Sequence, residues 1–362
     1  MRSPFTIVVY LIAAVSLIML LSVSVYYNHA PLSVHSPFKM WCPFLQPRLV
    51  PDVRGQGQAL GLQSVSRGIF DLIRDYCGDV CNTTIGPLGR GKYYDVVEKN
   101  IDCDRFFSND FIEGWEQPKD IDPPDLEYLI SVGGESYYSY QGRVNIKSDY
   151  WNGKSATKST KTWTKKMFEE QRALFRKKKL KGTYHISDVL EVERLMRNNM
   201  MKHISRGRAL VIGSELPWLE VMLLELGAAS VTTLEYNDID SNVENVTVIR
   251  PSDVNRMWKS GGGNFDVIVT FSSLEHSGLG RYGDPLNPWA DLIASARAWC
   301  LTRPGGKMLL GLPMGPEDVV QFNTHRMYGP LQMSHMLANW EQIHADNLNA
   351  ILAAIVVQKP IS

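Results

Sequence analysis

The stretch FDVIVTFSSLEH, residues 265–276, joins an apolar run to a polar loop. FDVIVTF is apolar nearly throughout, which is typical of a parallel strand buried on both faces. The loop that follows it carries Ser272, Ser273, Glu275 and His276. Because ligands bind beyond the carboxyl ends of parallel strands, the stretch predicts a functional loop at the edge of a parallel sheet.

The same pattern of strands and helices extends on both sides of this stretch. Apolar or β-branched runs predict further strands at ALVIG (209–213), VTTLEY (231–236), VTVIR (246–250) and KMLLGL (307–312). Prolines at the starts of helical patterns are Pro217, Pro288 and Pro330. The order predicts an α/β fold: a doubly wound, Rossmann-like, mostly parallel sheet with helices on both faces.

Three finer predictions complete the secondary structure. A helix is expected over residues 186–204, with Ser187 as its N-cap. A turn is expected at RPGG, residues 303–306, before the fifth strand. The tail contains the runs WEQIHA and ILAAIVVQK, which predict an antiparallel pair of strands.

The loops after the predicted strands would meet over one crevice. Gly213 and Ser214 follow the first strand, Glu235 ends the second, and Asp253 follows the third. Glu235 lies 22 residues after Gly213, a spacing at which an acidic residue can accept hydrogen bonds from ribose hydroxyls. The alternative is a surface carboxylate that happens to end a strand.

Four segments carry a resemblance to a known superfamily. ALVIGSE, TTLEYN, FDVIVTFSSLEH and RPGGKMLLGLP resemble, in this order, the class I S-adenosylmethionine-dependent methyltransferases, over about residues 205–360. Three segments resemble an uncharacterised domain-of-unknown-function family of membrane-anchored nematode proteins: IGSELPW, SLEHSGLGRYGD and FNTHRMYGP. The resemblance implies S-adenosylmethionine as cofactor, and a seventh strand that lies antiparallel beside the fifth.

The resemblance also implies cofactor contacts for particular residues. Gly213 and Ser214 would lie against the methionine part, and Glu235 would hold the ribose. Asp253 would lie near the adenine amino group, with Ser272 and Ser273 under the sulfonium. The family's first loop usually reads Gly-x-Gly-x-Gly, since the backbone passes close to the cofactor. Here that loop has one glycine.

The loop after residue 271 contains the candidate catalytic groups. Glu275 and His276 stand at the mouth of the predicted crevice, where a histidine with a pKa near 6.5 can act as a general base. Asp284 is a second candidate base. Three residues are expected to bind substrate: Arg281, His325 and Arg326. The alternative is that Glu275 and His276 cap the next turn and that Arg281 pairs with Asp284.

The amino-terminal region predicts a membrane anchor. Residues 5–27 contain no charged side chain and are long enough to span a bilayer as a helix. The positions of the flanking basic residues favour a type II protein whose body lies in the endoplasmic reticulum or Golgi lumen. The alternative is a cleaved signal peptide and a secreted protein.

The predicted organisation after the anchor is a stalk at 28–65, a mixed helical region at 66–204 and a sheet domain at 205–362. Two sequons fit a lumenal body, Asn82-Thr83-Thr84 and Asn245-Val246-Thr247. Four of the five cysteines lie between the anchor and residue 103, as expected for a disulfide-bearing stem. Free thiols are the alternative, and we expect no metal site.

Charge narrows the choice of partners. The 38 Lys and Arg residues balance the 38 Asp and Glu residues, so nothing global indicates nucleic-acid binding. The basic run FRKKKLKG, residues 175–182, is either a solvated helix face or a site for an anionic partner.

Three functions are compatible with these patterns. The first is a membrane-anchored methyltransferase that acts on a small molecule, a lipid or a glycan. The second is a degenerate relative that binds no cofactor and serves as an interaction module, as the single-glycine loop suggests. The third is a lumenal glycosyltransferase, against which we find no Asp-x-Asp motif at a strand end.

Overall fold

The structure is a computed structural model, and it describes residues 68–86, 96–108, 126–149, 161–282, 284–348 and 352–361. These residues lie in one compact unit, Ser64–Ser362. The predicted anchor at 5–27 and the predicted stalk at 28–65 lie outside the described residues. Within the described ranges, no helix is both long enough and apolar enough to span a bilayer.

The strands, numbered along the chain, have the following bounds: β1 (Asn145–Ser148), β2 (Lys161–Trp163), β3 (Arg208–Ile212), β4 (Ser230–Leu234), β5 (Ile239–Ser241), β6 (Val246–Ile249), β7 (Phe265–Phe271), β8 (Thr302–Pro313), β9 (Val319–Phe322), β10 (His325–Met327), β11 (Glu341–Asn347) and β12 (Leu352–Gln358).

The helices are α1 (Ile69–Cys77), α2 (Cys103–Ser108), α3 (Leu126–Ser131), α4 (Glu135–Tyr138), α5 (Lys165–Arg176), α6 (Ile186–Asn199), α7 (Met201–Ile204), α8 (Trp218–Glu225), α9 (Pro251–Lys259), α10 (Ala290–Leu301) and α11 (Pro330–Met336).

Seven strands form the main sheet in the order β11-β12-β8-β7-β3-β4-β6. The neighbours from β8 to β6 are parallel, while β12 is antiparallel to both β8 and β11. Counted within this sheet along the chain, the seventh strand therefore lies antiparallel beside the fifth. This is the arrangement that the resemblance to class I methyltransferases implies.

Both faces of the sheet are buried, which confirms the interpretation of the apolar runs. In β3, Leu210 and Ile212 join a core that includes α10, whereas Ala209 and Val211 join a second core with α6 and α8. Successive side chains of a strand point to opposite faces, so one apolar run serves two cores. Full burial of each large apolar side chain stabilises the fold by about 1.5–3 kcal/mol.

Two local predictions were wrong. The expected turn at 303–306 is part of β8, whose pairing with β7 is irregular between Phe265 and Val267. Ser187 is not an N-cap, because α6 begins at Ile186 and His185 occupies the cap position. The continuous helix expected over 186–204 ends at Asn199 and is followed by the short α7.

Two small sheets flank the main one. The hairpin of β9 and β10 is extended by β1, which runs parallel to β9. The strand β2 pairs in parallel with β5. The amino-terminal region, which had no recognisable motif, thus supplies a strand to a hairpin that lies more than 170 residues later in the chain.

Disulfide bonds also join distant parts of the chain. Cys103 at the start of α2 pairs with Cys300 in α10, and Cys77 pairs with Cys81. The cysteines are therefore not confined to a stem, since one bond reaches the main sheet's helical layer. Among the described residues, no group of His, Cys, Asp and Glu has the makeup of a metal site.

Candidate functional site

A cavity of about 1300 Å³ lies over the carboxyl ends of β3, β4 and β7. It is larger than the ~300–1,000 Å³ typical of pockets for one small ligand. Ten of the twelve predicted site residues line it: Gly213, Ser214, Glu235, Ser272, Ser273, Glu275, His276, Arg281, Asp284 and His325. Loops far apart in the chain therefore meet at one site, as the topology requires.

Gly213 lies where the first loop touches the loop after β7. Its φ is +73°, and a Cβ atom placed there would lie only 1.9 Å from Ser273 Oγ. Its N–H donates to the Leu234 carbonyl at 2.9 Å. The single glycine of this loop is therefore required by the neighbouring loop.

Glu235 links the loop after β3 to the loop after β4 through hydrogen bonds. Its Oε2 accepts the Ser214 N–H at 2.8 Å, and its Oε1 accepts the Asn237 N–H at 3.0 Å. Only 9% of the residue is exposed. Each carboxylate oxygen can accept more than one hydrogen bond, so both keep capacity for ligand hydroxyls.

Glu220, which sequence analysis missed, lies beneath this loop. It is fully buried in α8, and its two oxygens contact Thr233 Oγ1 at 2.8 Å and Ser214 Oγ at 3.0 Å. Burial raises its pKa to about 7, and the Glu235 carboxylate acts in the same direction. The Ser214 hydroxyl also lies 3.0 Å from the Leu216 carbonyl, so a protonated Glu220 satisfies both contacts by donating to Ser214.

Glu275 is the buried acid on the other side of the cavity. Its Oε1 accepts the Ser272 hydroxyl at 2.6 Å, and Ser272 Oγ lies 2.5 Å from the Tyr184 hydroxyl. Because Ser272 donates to Glu275, Tyr184 donates to Ser272. The Oε2 atom of Glu275 is buried without a hydrogen-bond partner in the part of the chain that the structure describes. Burial raises the pKa of Glu275 to about 7.

Ser272 holds this chain of hydroxyls in an unusual backbone conformation. Its φ is +49°, in the left-handed region that non-glycine residues seldom adopt. Such strained positions cluster at functional sites, where the surrounding structure holds them in place. The half-exposed Tyr184 reaches Ser272 from before α6, and its ring packs edge-on against Phe271 at 5.7 Å between centroids.

His276 is held neutral. Its Nδ1 lies 2.7 Å from the Thr324 carbonyl, which requires a proton on Nδ1, and its Nε2 lies 3.6 Å from Glu275 Oε1. Burial lowers the pKa of His276 to about 4, and Arg281 acts in the same direction. Near neutral pH, Glu275 is therefore better matched than His276 to a general-base role.

Arg281 and His325, two of the predicted substrate-binding residues, line the same cavity. Arg281 Nη1 donates to the Thr324 carbonyl at 3.0 Å, and the guanidinium lies 5.1 Å from the centre of the Tyr282 ring. His325 faces His276 with 6.3 Å between ring centres, and burial, with His276, lowers its pKa.

Asp284 lines the cavity and also holds the loop in place. Its carboxylate accepts the backbone N–H groups of Gly278 at 2.7 Å, Gly280 at 3.3 Å and Tyr282 at 3.1 Å. Three N–H donors converging on one side chain fix the path of the glycine-rich segment. These bonds suit Asp284 to holding the loop more than to accepting a proton.

Two predicted site residues lie away from the cavity wall. Asp253 is in the first turn of α9, where it accepts the Arg250 N–H at 3.3 Å and pairs with Arg256 at 2.6 Å. The helix begins at Pro251, directly after β6, so Asp253 caps the helix. Asp253 is therefore engaged at the start of α9, and its adenine contact stays a prediction that no contact in the structure supports.

Arg326 was predicted to bind substrate, but its side chain is 1% exposed and lies 3.4 Å from Asp291. It also donates to the Ser277 carbonyl at 2.6 Å. It neighbours His325 in β10, and successive strand residues point to opposite sides. Only His325 therefore reaches the cavity, while Arg326 holds the site loop from behind.

The cavity wall includes six apolar residues, which we call the apolar slot: Leu234, Pro251, Val254, Ala294, Ala298 and Leu301. Trp218 does not fill the cavity, since it packs edge-on against Phe271 with 5.3 Å between ring centres. Leu216 is 47% exposed. The slot, the Glu235 carboxylate and the first loop together fit a nucleoside cofactor such as S-adenosylmethionine.

Comparison with known families agrees with the second resemblance seen in the sequence. Residues 206–351 match the family described as "Caenorhabditis protein of unknown function, DUF268". We call residues 206–351 the matched segment. It contains the site loops from Gly213 to Arg326, and it ends before β12. A comparison with curated proteins found no match.

The solved structures that this chain resembles include methyltransferases and two proteins described as hemolysins. A Burkholderia thailandensis 1,6-didemethyltoxoflavin-N1-methyltransferase shares 13% identity over 54% of this chain and 84% of its own, with a TM-score of 0.37. A candidate hemolysin of Streptococcus thermophilus shares 14% identity over 51% and 69%, with a TM-score of 0.36. The N-methyltransferase NodS of Bradyrhizobium japonicum shares 11% over 46% and 88%, with a TM-score of 0.31. At these TM-scores the similarity supports no conclusion about this chain. The fold is assigned from the strand order described above.

Proposed function

We propose that the protein is a membrane-anchored S-adenosylmethionine-dependent methyltransferase. The observation that carries the proposal is that Glu235 and Glu275 line the same cavity, at the carboxyl ends of parallel strands. One carboxylate suits the ribose of a cofactor, and the other suits the proton of an acceptor.

S-adenosylmethionine, when bound, would supply an electrophilic methyl group. Glu235 would accept the ribose hydroxyls, and the apolar slot around Val254 and Ala298 would bury the adenine. Ser272 and Ser273 would line the floor of the reacting region. The cavity volume leaves room for an acceptor beside the cofactor.

Glu275 would take the proton from an acceptor hydroxyl or ammonium group. Its free Oε2 is the acceptor atom, and a pKa near 7 allows it to gain and lose a proton at neutral pH. Ser272 and Tyr184 hold the other oxygen, so the carboxyl group has one orientation. The neutral His276 lies beside Glu275, with its Nε2 3.6 Å from Glu275 Oε1.

The acceptor would be a small molecule, a lipid or a glycan, and we propose no nucleic-acid partner. The protein would be a single-pass type II membrane protein, anchored through residues 5–27, with its body in the endoplasmic reticulum or Golgi lumen. The disulfides Cys77–Cys81 and Cys103–Cys300 support this placement, because disulfides persist in oxidising compartments.

Calorimetric titration of the full chain in detergent with S-adenosylhomocysteine tests the proposal. A saturable heat that Glu235→Ala weakens is expected. Absence of heat at millimolar ligand would contradict the proposal. It would favour a degenerate, non-catalytic interaction protein, for which the internal bonds of Glu235 are the supporting observation.

A glycosyltransferase is a weaker candidate. An Asp-x-Asp sequence, overlooked in the sequence analysis, does occur at Asp238-Ile239-Asp240, just beyond β4. Asp238 forms an ion pair with Arg250, and neither aspartate lines the cavity. Manganese-dependent binding of a nucleotide sugar would support this alternative.

A further inference from the structure

The two glycosylation sequons have different surroundings in the folded chain. Asn82 directly follows the Cys77–Cys81 disulfide, and its carbonyl oxygen accepts Lys99 Nζ at 2.8 Å. The next residue, Thr83, is 2% exposed. Asn82 itself is only partly exposed, although Thr84, which completes its sequon, is exposed.

Asn245 lies in an open turn. It precedes β6, is exposed, and has a φ of +63°, a conformation that asparagine tolerates better than most residues. Thr247, which completes the sequon, is also exposed. Both side chains that define the sequon are therefore accessible in the folded protein.

The position of Asn245 keeps an attached glycan away from the cavity. Asn245 comes before β6, at the amino end of a parallel strand, whereas the cavity lies over the carboxyl ends. β6 is also the last strand of the main sheet on its side. A bulky, solvated group at its start would shield an open sheet edge, which is a common site of unwanted strand pairing.

We infer that Asn245 is a site of N-linked glycosylation. The inference rests on the lumenal placement given under the proposed function, and it is independent of methyl transfer. A bond forms between Asn245 Nδ2 and the anomeric carbon of a lipid-linked oligosaccharyl diphosphate. The bond from that carbon to the diphosphate oxygen breaks, the diphosphate leaves with the electron pair, and the amide nitrogen loses one proton.

Matched variants of the full chain test the assignment, after translation in the presence of endoplasmic-reticulum microsomes. Peptide N-glycosidase should increase the gel mobility of the wild type by the equivalent of one glycan. Asn245→Asp and Thr247→Val should abolish that shift. Asparagine and aspartate both tolerate the turn, and valine keeps the shape and strand propensity of threonine.

Two controls separate the sequon from the fold. Thr247→Ser keeps the sequon and should retain the shift, and Asn82→Gln should leave the shift unchanged. A shift that survives Thr247→Val but disappears in Asn82→Gln would overturn the assignment.

Protease protection of the same microsomes distinguishes the two ways of failing. A protected chain without a glycan would overturn the site alone and leave the lumenal placement standing. A digested chain would overturn the lumenal placement and the inference together. Neither result bears on binding of S-adenosylhomocysteine.

Discussion

Two buried glutamates lie in the helix after β3 and the loop after β7, and they differ in their hydrogen bonds and in their position relative to the cavity. Glu220 and Glu275 are both fully buried, and burial raises the pKa of each to about 7. Both oxygens of Glu220 have partners, while Glu275 has one oxygen without a partner among the described residues. Only Glu275 lines the cavity.

This difference separates a structural acid from a reactive one. Buried polar groups in folded proteins are usually satisfied, so an unsatisfied oxygen on a residue that lines a cavity marks a candidate ligand contact. The shifted pKa is common to both groups and does not distinguish them. The number of hydrogen-bond partners does distinguish them, and four predictions test this interpretation.

The largest expected effect is on catalysis. Glu275→Gln should lower methyl transfer by about 10²–10⁴-fold, because the amide cannot accept the acceptor's proton. The measurement is transfer of labelled methyl groups from S-adenosylmethionine to lipid and glycan extracts. Glu220→Gln is the matched control, since its amide can still bond Ser214 and Thr233. Equal losses in the two variants would erase the distinction.

Arg326→Leu should lower the free energy of unfolding by about 3–5 kcal/mol, because it leaves the buried Asp291 without its ion-pair partner. Urea denaturation of the full chain in detergent measures the change. His325→Leu, the neighbour that faces the cavity, serves as control and should cost much less. A stable Arg326 variant with weakened ligand binding would restore the original substrate-binding prediction.

Glu220 and Glu275 should contribute equally to the pH dependence of the free energy of unfolding. Each is protonated in the native state up to a pKa of about 7, whereas the ordinary value is 4.5. The unfolded chain therefore releases these protons first, and the free energy of unfolding falls as the pH rises from about 4.5 to about 7.

The fall should be about 3 kcal/mol for each group. Glu220→Gln and Glu275→Gln should each remove the contribution of one glutamate to this fall in the free energy of unfolding. Urea unfolding at pH 5 and pH 8 measures the change. An unchanged slope in either variant would show that the group is ionised in the native protein.

The smallest expected effect concerns the cofactor. Glu235→Ala should weaken binding of S-adenosylhomocysteine by about 10–100-fold, the value of one hydrogen bond to a charged group. Asp253→Ala removes an acidic residue that caps α9 and should leave the affinity unchanged. A larger effect of Asp253 than of Glu235 in calorimetry would reverse the assignment of the two residues.

The sequence predicts the sheet well because its signals are local. FDVIVTF matches the bounds of β7, and the antiparallel pair at the tail is present. The convergence of Gly213, Glu235 and Glu275 follows from parallel strands alone. The positions of Asp253 and Arg326 away from the cavity lining could not be predicted in this way, because each depends on where one element begins or which way one side chain points.

The missed residues depend on contacts that spacing cannot reveal. Tyr184 lies 88 residues before its partner Ser272, and nothing in the local sequence indicates that contact. Glu220 did have a signal, since it is the acidic residue within the apolar run PWLEVMLL. A lone carboxylate on a helix that is buried on all sides requires hydrogen-bond partners. The position of Glu220 in this apolar run therefore indicated a buried polar contact.

The strand β12 lies outside the segment that matches the family model. It lies between β8 and β11, yet it begins at Leu352, one residue beyond the matched segment 206–351. The partner of β9 is β1, which comes before that segment. Gene fusion or exon exchange at the recognisable borders would therefore transfer a sheet with a missing interior strand. The portion of the chain that evolution can move as a working module is longer than the portion that sequence similarity marks.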